Sequence, residues 1–246
     1  MKKTIVITGV GKGFGKELIK HLVDSYYVIG ITRSEKDVIQ LEKDLGQKQG
    51  NFELIMSDVT DYESLDHKLS DSLHNRARSV FGLINNAGVR CRADFLGLSM
   101  AKIKEVLEVN LFAAIALSKF ILPFFLKNGE GRIINVSSIL STNALPDLSA
   151  YTISKSALDG FTRSIATEFA HQGVTCNSIL PGFCKTSYFD NFKSNEELYE
   201  MTLNRTPAKR WGTDDELIGL CELLLGDRGG YINGSSIPID GGWTSS

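Results

Sequence analysis

Short apolar runs alternate with longer amphipathic stretches along the chain, and this alternation restricts the fold more than any other feature. The runs cover residues 5–7, 27–32, 52–56, 80–84, 132–136 and 174–180. Their apolar residues barely alternate with polar ones, which is typical of parallel strands buried on both faces. Helical stretches fill the gaps, so the pattern predicts an α/β fold in which helices cover both faces of a parallel sheet.

Two late helices have recognisable start signals. Thr213 and Glu216 have the spacing of a capping box, before an apolar stripe that ends at Gly226. Ser194 and Glu197 repeat this spacing before a shorter helix. Repeats and linkers are absent from the 246 residues, so we expect a single domain over 1–246.

Charge and residue usage exclude several classes of function. The 27 basic and 29 acidic residues give a net charge of -2, which provides no basic excess for nucleic acid or an anionic membrane. The apolar stretch 111–126 contains Ser118, Lys119 and Pro123, and we expect these to interrupt it short of a membrane span. The cysteines and histidines lack disulfide or metal-ligand spacing, which predicts reduced thiols, no metal and a cytoplasmic location.

A glycine-rich loop separates the first strand from the first helix. Its glycines have G-x-x-x-G-x-G spacing on Gly9, Gly13 and Gly15. A backbone without β-carbons turns sharply and can approach a pyrophosphate, which the N-terminus of the next helix also attracts. A turn without a ligand is the alternative, but the position between a buried strand and an amphipathic helix favours nucleotide binding.

The end of the second strand indicates which nucleotide binds. An NAD site would place a carboxylate about 20 residues beyond the glycine loop, where it accepts a hydrogen bond from the ribose. Here the strand ends in Thr32 and Arg33, and the first carboxylate is Glu35. Arg33 offers a planar donor fork to a 2′-phosphate, and Lys12 in the loop offers a second cation. We therefore expect NADP(H) to be preferred over NAD(H); two solvated surface cations are the alternative.

Tyr151 and Lys155 are spaced for proton transfer chemistry. At positions i and i+4 they would share one face of a helix. A free phenol has a pKa near 10, so its anion costs roughly 4 kcal/mol at pH 7. One cation at about 4 Å contributes a similar amount at an effective dielectric of 20. A single lysine can therefore make the tyrosine a working proton donor or acceptor, although this spacing is also common in surface pairs.

Several motifs in order resemble those of the short-chain dehydrogenase/reductase family along nearly the whole chain. The segment from Thr8 to Gly15 resembles its cofactor loop, and Asn85 to Gly88 resembles the motif that stabilises the central sheet beside the cofactor. The resemblance implies a Rossmann-type doubly wound sheet of about seven strands. The expected cofactor-binding residues are Gly9, Gly11, Lys12, Gly13, Phe14, Gly15, Arg33, Asp58, Val59, Asn86, Ala87, Gly88, Tyr151, Lys155, Pro181, Gly182 and Thr186.

The same resemblance implies four catalytic residues. Tyr151 would exchange a proton with the substrate oxygen, while Lys155 lowers the pKa of the tyrosine and binds the nicotinamide ribose. Ser138 would orient the carbonyl group. Asn110 would hold a water that links Lys155 to solvent, or else serve as a structural amide in a kinked helix. Gly11 departs from the family pattern, which more often has a side-chain donor there.

The substrate is less constrained than the reaction. The general pattern resembles 3-oxoacyl-(acyl-carrier-protein) reductases, whereas residues 205–212, 231–234 and 240–243 also resemble sugar-acid dehydrogenases such as gluconate 5-dehydrogenase. We expect the thioester class first, the sugar-acid class as the alternative, and a catalytically silent NADP(H)-binding sensor or scaffold as a remote third. Arg90 and Arg92 would either meet an anionic group or be solvated, and residues 187–205 would form a variable substrate lid.

The stretches 106–126 and 151–170 are more hydrophobic than packing on one side of a sheet requires. In the family that the chain resembles, this pair of helices forms a four-helix contact between subunits, and the C-terminal strand completes a second contact. We therefore expect a homotetramer, with a homodimer as the alternative.

Overall fold

The computed structural model describes residues 2–48, 50–74, 79–185 and 195–245. They contain seven strands: β1 (Thr4–Thr8), β2 (Tyr27–Thr32), β3 (Phe52–Met56), β4 (Val80–Asn85), β5 (Gly131–Val136), β6 (Val174–Pro181) and β7 (Ser236–Ile239). These pair in parallel in the order β3-β2-β1-β4-β5-β6-β7. The order reverses between β1 and β4, which is where open α/β sheets bind their ligands. The predicted parallel sheet of about seven strands is confirmed.

Eight α-helices lie within the described ranges: α1 (Gly13–Leu22), α2 (Glu35–Leu45), α3 (Tyr62–His74), α4 (Met100–Leu107), α5 (Ala113–Asn128), α6 (Ser149–Phe169), α7 (Glu196–Arg205) and α8 (Asp214–Leu225). Buried side chains of α1, α2 and α8 pack on one face of the sheet. Those of α3, α5 and α6 pack on the other. The sheet is therefore covered on both faces, as the alternation of runs predicts.

Successive residues of β1 show why the strands read as unbroken apolar runs. Ile5 and Ile7 belong to the core on one face, and Val6 belongs to the core on the opposite face. All three side chains are fully buried. Because successive side chains of a strand point to opposite faces, a strand covered on both faces needs an apolar residue at every position.

The caps of the two late helices agree with the sequence only in part. The backbone N–H of Thr213 donates to Glu216 Oε2 at 2.9 Å, which completes the predicted box, and α8 ends at Gly226. Ser194 lies outside the described residues. The side chain of Asn195 caps α7 instead, by accepting a hydrogen bond from the backbone N–H of Leu198 at 3.0 Å.

The expectation that Ser118, Lys119 and Pro123 interrupt the apolar stretch is wrong, because one helical segment runs through them. A π-helical turn, Glu108–Phe112, joins α4 to α5. Pro123 lies on the exposed side of α5, where water can solvate the carbonyl that proline leaves unpaired. By length and composition Met100–Asn128 could cross a membrane, but half of its most apolar window is buried inside the protein, as in a core helix.

The thiols and potential metal ligands can be located directly. All four cysteines are free. Within the described ranges, histidine, cysteine, aspartate and glutamate side chains form no group of three that would hold a metal ion.

Candidate active site

The predicted site residues collect at the carboxyl-terminal edge of the sheet. Thr8 ends β1, Asn85 ends β4, Pro181 ends β6, and Ser138 follows β5 by two residues. Parallel strands bring these ends to one edge, so residues far apart in sequence become neighbours.

The glycine loop is held in place by the segment that follows β4. Gly9 has a φ of 73°, and a Cβ atom there would lie 2.9 Å from the Cα of Ala87. The Asn86 side chain donates to the carbonyl oxygens of Thr8 at 3.0 Å and Gly9 at 3.1 Å. The Thr8 hydroxyl accepts from the backbone N–H groups of Asn86 at 3.0 Å and Ala87 at 2.9 Å. Gly9 therefore cannot be replaced without moving this segment.

The start of α1 suits the pyrophosphate of a dinucleotide. Gly13 has a φ of 54°, and Gly15 lies directly against the carbonyl of Gly9, with no room for a side chain. Lys12 is the N-cap and makes no side-chain capping bond. Phe14 is buried in the core, so only its backbone can face a ligand. The loop thus presents backbone N–H groups and a helix N-terminus, which is the donor set that phosphates bind.

Arg33 and Asp58 come together at the ends of β2 and β3. Asp58 Oδ1 accepts hydrogen bonds from the N–H and the hydroxyl of Thr60, at 2.9 and 2.8 Å. The Thr60 N–H, then its hydroxyl and the charge of Arg33, hold the pKa of Asp58 below its usual value, against the opposing effect of partial burial. Arg33 itself is exposed, and Val59 packs against the core beneath α3 and α5. Arg33 and Asp58, which the sequence predicts as cofactor-binding residues, therefore both lie at this end of the site.

A carboxylate that the sequence reasoning passed over also lies here. Asp37, in the first turn of α2, accepts a hydrogen bond from the Thr32 hydroxyl at 3.3 Å. A Cβ atom on Gly11 would collide with the Asp37 carboxylate and lie 2.7 Å from the Thr32 hydroxyl oxygen. The only local signal is that Asp37 follows the N-cap Ser34 by three residues, which turns its side chain toward the helix start.

Helix α6 carries Tyr151 and Lys155 into the site. Lys155 is 3% exposed, its Nζ donates to the carbonyl of Val136 at 2.7 Å, and it lies 5.7 Å from the centre of the Tyr151 ring. Burial lowers the pKa of Lys155 to about 8, and the negative charge of Asp159 opposes that shift. The predicted helical pairing of the tyrosine and the lysine is present, with the ammonium almost fully removed from water.

The segment after β5 is tied to α6 along its length. Ser137 donates to the carbonyl of Lys155 at 3.3 Å, and Ser156 donates to the carbonyl of Ser141 at 2.7 Å. Ser138 is buried and caps a short 3₁₀ helix by accepting from the backbone N–H of Leu140 at 3.1 Å. The hydroxyl of Ser138 is thus fixed on the same segment that binds Lys155.

A buried row of amides and hydroxyls connects the sheet to α6. Asn85 of β4 donates to the side chain of Asn135 of β5 at 2.8 Å, and Asn135 donates to the Thr162 hydroxyl of α6 at 2.8 Å. Thr162 also bonds to Ser178 of β6 at 2.8 Å. Three strands and α6 are therefore held together by side-chain hydrogen bonds.

Asn110 lies in the π-helical turn and clamps the chain after β4. Its Oδ1 accepts from the backbone N–H of Val89 at 2.7 Å, and its Nδ2 donates to the Val89 carbonyl and to Ser154 Oγ, both at 2.9 Å. Both donors of the amide are thus used by the protein. A Cβ atom on Gly88 would lie 3.4 Å from Asn110 Oδ1 and 3.6 Å from Lys155 Nζ, so the amide oxygen and the ammonium lie on the same side of Gly88. Ser154 was not predicted, and no local spacing pointed to it.

An apolar wall lies beside Tyr151. The buried residues of this cluster are Ile139, Leu140, Leu148, Leu180 and Trp243, and Tyr151, Leu145 and Phe183 pack against them. The wall brings together the segments that follow β5, β6 and β7.

Three of the remaining predicted residues, Gly182, Arg90 and Arg92, can also be located. Gly182 follows Pro181 and pairs with the carbonyl of Ile239 at 2.9 Å. Arg90 and Arg92 are exposed on the loop after Val89, which is joined to the turn before α6 by a hydrogen bond from the Ala93 N–H to the Asp147 carbonyl at 3.0 Å. Thr186 and residues 187–194 of the expected lid lie outside the described residues. Helix α7 covers residues 196–205 of the expected lid.

Comparison with known proteins identifies the family. The family model described as "short chain dehydrogenase" matches residues 3–197. The chain belongs to the short-chain dehydrogenase family. The predicted membership is confirmed, and the chain is an oxidoreductase that uses a nicotinamide cofactor to interconvert alcohols and ketones.

Relatives of two kinds match over nearly their whole length. The 2-dehydro-3-deoxy-D-gluconate 5-dehydrogenase of Bacillus subtilis (strain 168) is 32% identical over 99% of this chain and 95% of its own. The 3-oxoacyl-[acyl-carrier-protein] reductase FabG of Buchnera aphidicola subsp. Schizaphis graminum is also 32% identical, over 98% of this chain and 97% of its own. A solved gluconate 5-dehydrogenase from Burkholderia cenocepacia J2315, in complex with NADP and tartrate, has a TM-score of 0.92 at 26% identity and covers 99% of this chain and 96% of that one.

Proposed function

We propose that this short-chain dehydrogenase is an NADP(H)-dependent ketoreductase in which Tyr151 exchanges a proton with the substrate oxygen. A bound nicotinamide supplies or accepts the hydride. The observation that carries the proposal is the buried Lys155 ammonium, 5.7 Å from the Tyr151 ring. A positive charge removed from water stabilises a phenolate more strongly than an exposed one, because the effective dielectric around it is lower.

Other residues at the edge of the sheet have supporting roles in this proposal. Ser138, fixed as the cap of its 3₁₀ helix, donates a hydrogen bond from its hydroxyl to the substrate oxygen. Asn110 holds the chain after β4 against α6 through Val89 and Ser154. Because both of its donors are occupied, Asn110 takes part in water binding only through its Oδ1 atom or its backbone.

Replacing Tyr151 by phenylalanine tests the proposed role directly. Phenylalanine keeps the ring and removes the transferable proton, so we expect turnover to fall by at least about a hundredfold, the scale of acid–base catalysis. Nucleotide binding, measured by fluorescence titration, should survive. Near-normal turnover in this variant would refute the role of Tyr151.

The preference for NADP(H) is supported by Arg33 and Lys12. Arg33 is exposed beside Asp58 and can bind a 2′-phosphate through two parallel hydrogen bonds. We expect Arg33→Ala to raise the Kd for NADPH much more than the Kd for NADH. Equal effects on the two nucleotides would contradict the phosphate contact.

The first candidate substrate is a 3-oxoacyl thioester. Tyr151 packs against the buried apolar cluster that contains Leu140, Leu148, Leu180 and Trp243, so its surroundings on this side are apolar. On the loop after Val89, Phe95 is 68% exposed and Leu96 is 95% exposed. These side chains support an extended, largely apolar substrate.

A sugar acid is the second candidate. It is supported by the match to sugar-acid dehydrogenases and by the exposed Arg90 and Arg92, which offer guanidinium groups to a carboxylate. Purified protein assayed with acetoacetyl thioesters and with 5-ketogluconate separates the two classes. A higher kcat/KM for the sugar acid would reverse the ranking. If the protein binds NADPH tightly but turns over no ketone in a wider panel, the result would favour the third alternative, a catalytically silent NADP(H)-binding sensor or scaffold.

We also propose that the active form is a cytoplasmic homotetramer. The exposed Met100 and Phe112 of the α4–α5 segment and the exposed Ile153 of α6 support a subunit contact on this side of the molecule. Free cysteines suit a reducing compartment. Sedimentation at micromolar concentration should show a tetramer, or a dimer as the alternative. A monomer alone would refute the proposal.

A further inference from the structure

Asp37 occupies the junction between the glycine loop and the end of β2. Its carboxylate accepts a hydrogen bond from Thr32, the last residue of β2, at 3.3 Å. It also reaches over Gly11, which can approach the carboxylate only because it has no side chain. Dinucleotide-binding folds recognise the adenosine ribose at this junction.

The carboxylate comes from an unusual place in the chain. In the general pattern an NAD site has an acidic residue at the end of the second strand. Here that position is Thr32, and the carboxylate comes from the first turn of α2, five residues later. The Thr32 hydroxyl holds the carboxylate at the end of β2. The acidic group therefore lies where an NAD site has one, although it comes from α2.

Charges of both signs therefore meet at this end of the site. Arg33 is the next residue after Thr32, and it is near enough to Asp58 to lower the pKa of that carboxyl. A ribose 2′-hydroxyl can donate a hydrogen bond to a carboxylate, whereas a 2′-phosphate has only acceptor oxygens and between one and two negative charges. Asp37 and Arg33 thus favour different cofactors.

We propose that Asp37 is a specificity-determining residue of the cofactor site, whose carboxylate favours the ribose 2′-hydroxyl of NAD(H) and disfavours the 2′-phosphate of NADP(H). The inference rests on the proposed use of a nicotinamide dinucleotide. It refines the proposed preference for NADP(H) into a balance in which Arg33 favours the phosphate and Asp37 limits that preference.

The test compares binding of NADPH and NADH, without substrate, to wild-type protein and to Asp37→Asn by fluorescence titration. Removing one full charge of the same sign as the phosphate should lower the Kd for NADPH about tenfold. The Kd for NADH should stay constant or rise, because an amide is a weaker acceptor than a carboxylate. Glu35→Gln is the matched control, since it removes an exposed carboxylate from the same helical turn.

The outcomes separate this inference from the proposed function. If the ratio of the Kd for NADPH to the Kd for NADH falls in Asp37→Asn and stays fixed in Glu35→Gln, the role of Asp37 is supported. If this ratio stays the same or rises in Asp37→Asn, or falls equally in both variants, the role is overturned. In that case a selective loss of NADPH binding in Arg33→Ala would still support the proposed cofactor preference. Wild-type protein that binds neither nucleotide would overturn both.

Discussion

Replacing Lys155 by methionine measures how much stability the folded protein loses by burying an ammonium group. The folded-state pKa of Lys155 is about 8, and its ordinary value is 10.5. Below pH 8 the lysine is charged in both the folded and the unfolded state, and the full cost of burial is present. Between pH 8 and 10.5 the unfolded state binds more protons, so the stability of the wild-type protein rises with pH through this window.

The size of the effect follows from the shift in pKa. Each unit corresponds to 1.36 kcal/mol, so the lowering of the pKa from 10.5 to about 8 destabilises the folded state by about 3 kcal/mol at pH 7. Methionine fills similar space and never carries the charge. We therefore expect the stability advantage of Lys155→Met over wild type to be about 3 kcal/mol smaller at pH 10.5 than at pH 7.

Urea unfolding of the nucleotide-free protein at pH 7, 9 and 10.5 provides the assay. Both proteins should carry Tyr151→Phe, so that ionisation of the neighbouring phenol does not contribute. Lys104→Met is a control, because that ammonium is exposed on α4. A stability difference between lysine and methionine at position 155 that does not change with pH would refute the reasoning.

Three further substitutions test other parts of the structure. Asp159 is buried one helical turn after Lys155, and its negative charge raises the pKa of that lysine. Asp159→Asn should therefore move the alkaline limb of the kcat–pH profile to lower pH. A limb that does not move would show that Asp159 does not control the pKa of Lys155. Lys209 has a φ of 53°, so Lys209→Gly should stabilise the protein by about 1 kcal/mol in urea unfolding, and a loss of stability would contradict the strain argument. Asn110→Ala removes three side-chain hydrogen bonds and leaves Val89 unpaired, so it should cost about 3 kcal/mol in the same assay; a cost below about 1 kcal/mol would contradict the clamp.

The strands at the centre of the sheet could be read from the sequence because they are buried on both faces and appear as short apolar runs. Residues 27–32 and 52–56 match β2 and β3 at both ends, although β3 contains Glu53 and is mostly half-buried. The pairing of Tyr151 with Lys155 was equally accessible, because helical spacing alone places them together. Each of these predictions depends on periodicity within one element.

Contacts between different elements could not be read in this way. The bond from Thr32 to Asp37 and the clamp of Asn110 on Ser154 depend on how separate elements pack, and neither has a characteristic spacing. The continuous helix through Pro123 was missed for a related reason. Whether a proline interrupts a helix depends on whether it lies on the side that faces water, and tertiary packing decides which side that is.

The row formed by Asn85, Asn135, Thr162 and Ser178 limits how this chain can change over time. Asn135 accepts a hydrogen bond from Asn85 and donates one to Thr162, and Thr162 shares a further hydrogen bond with Ser178, so exchanging one member for an aliphatic residue leaves its neighbour unpaired away from water. We therefore expect substitutions at these positions to occur together. Two or more simultaneous replacements can be tolerated where a single one is not. Paired exchanges of this kind, rather than single ones, are the route by which the interior beneath α6 can be rebuilt.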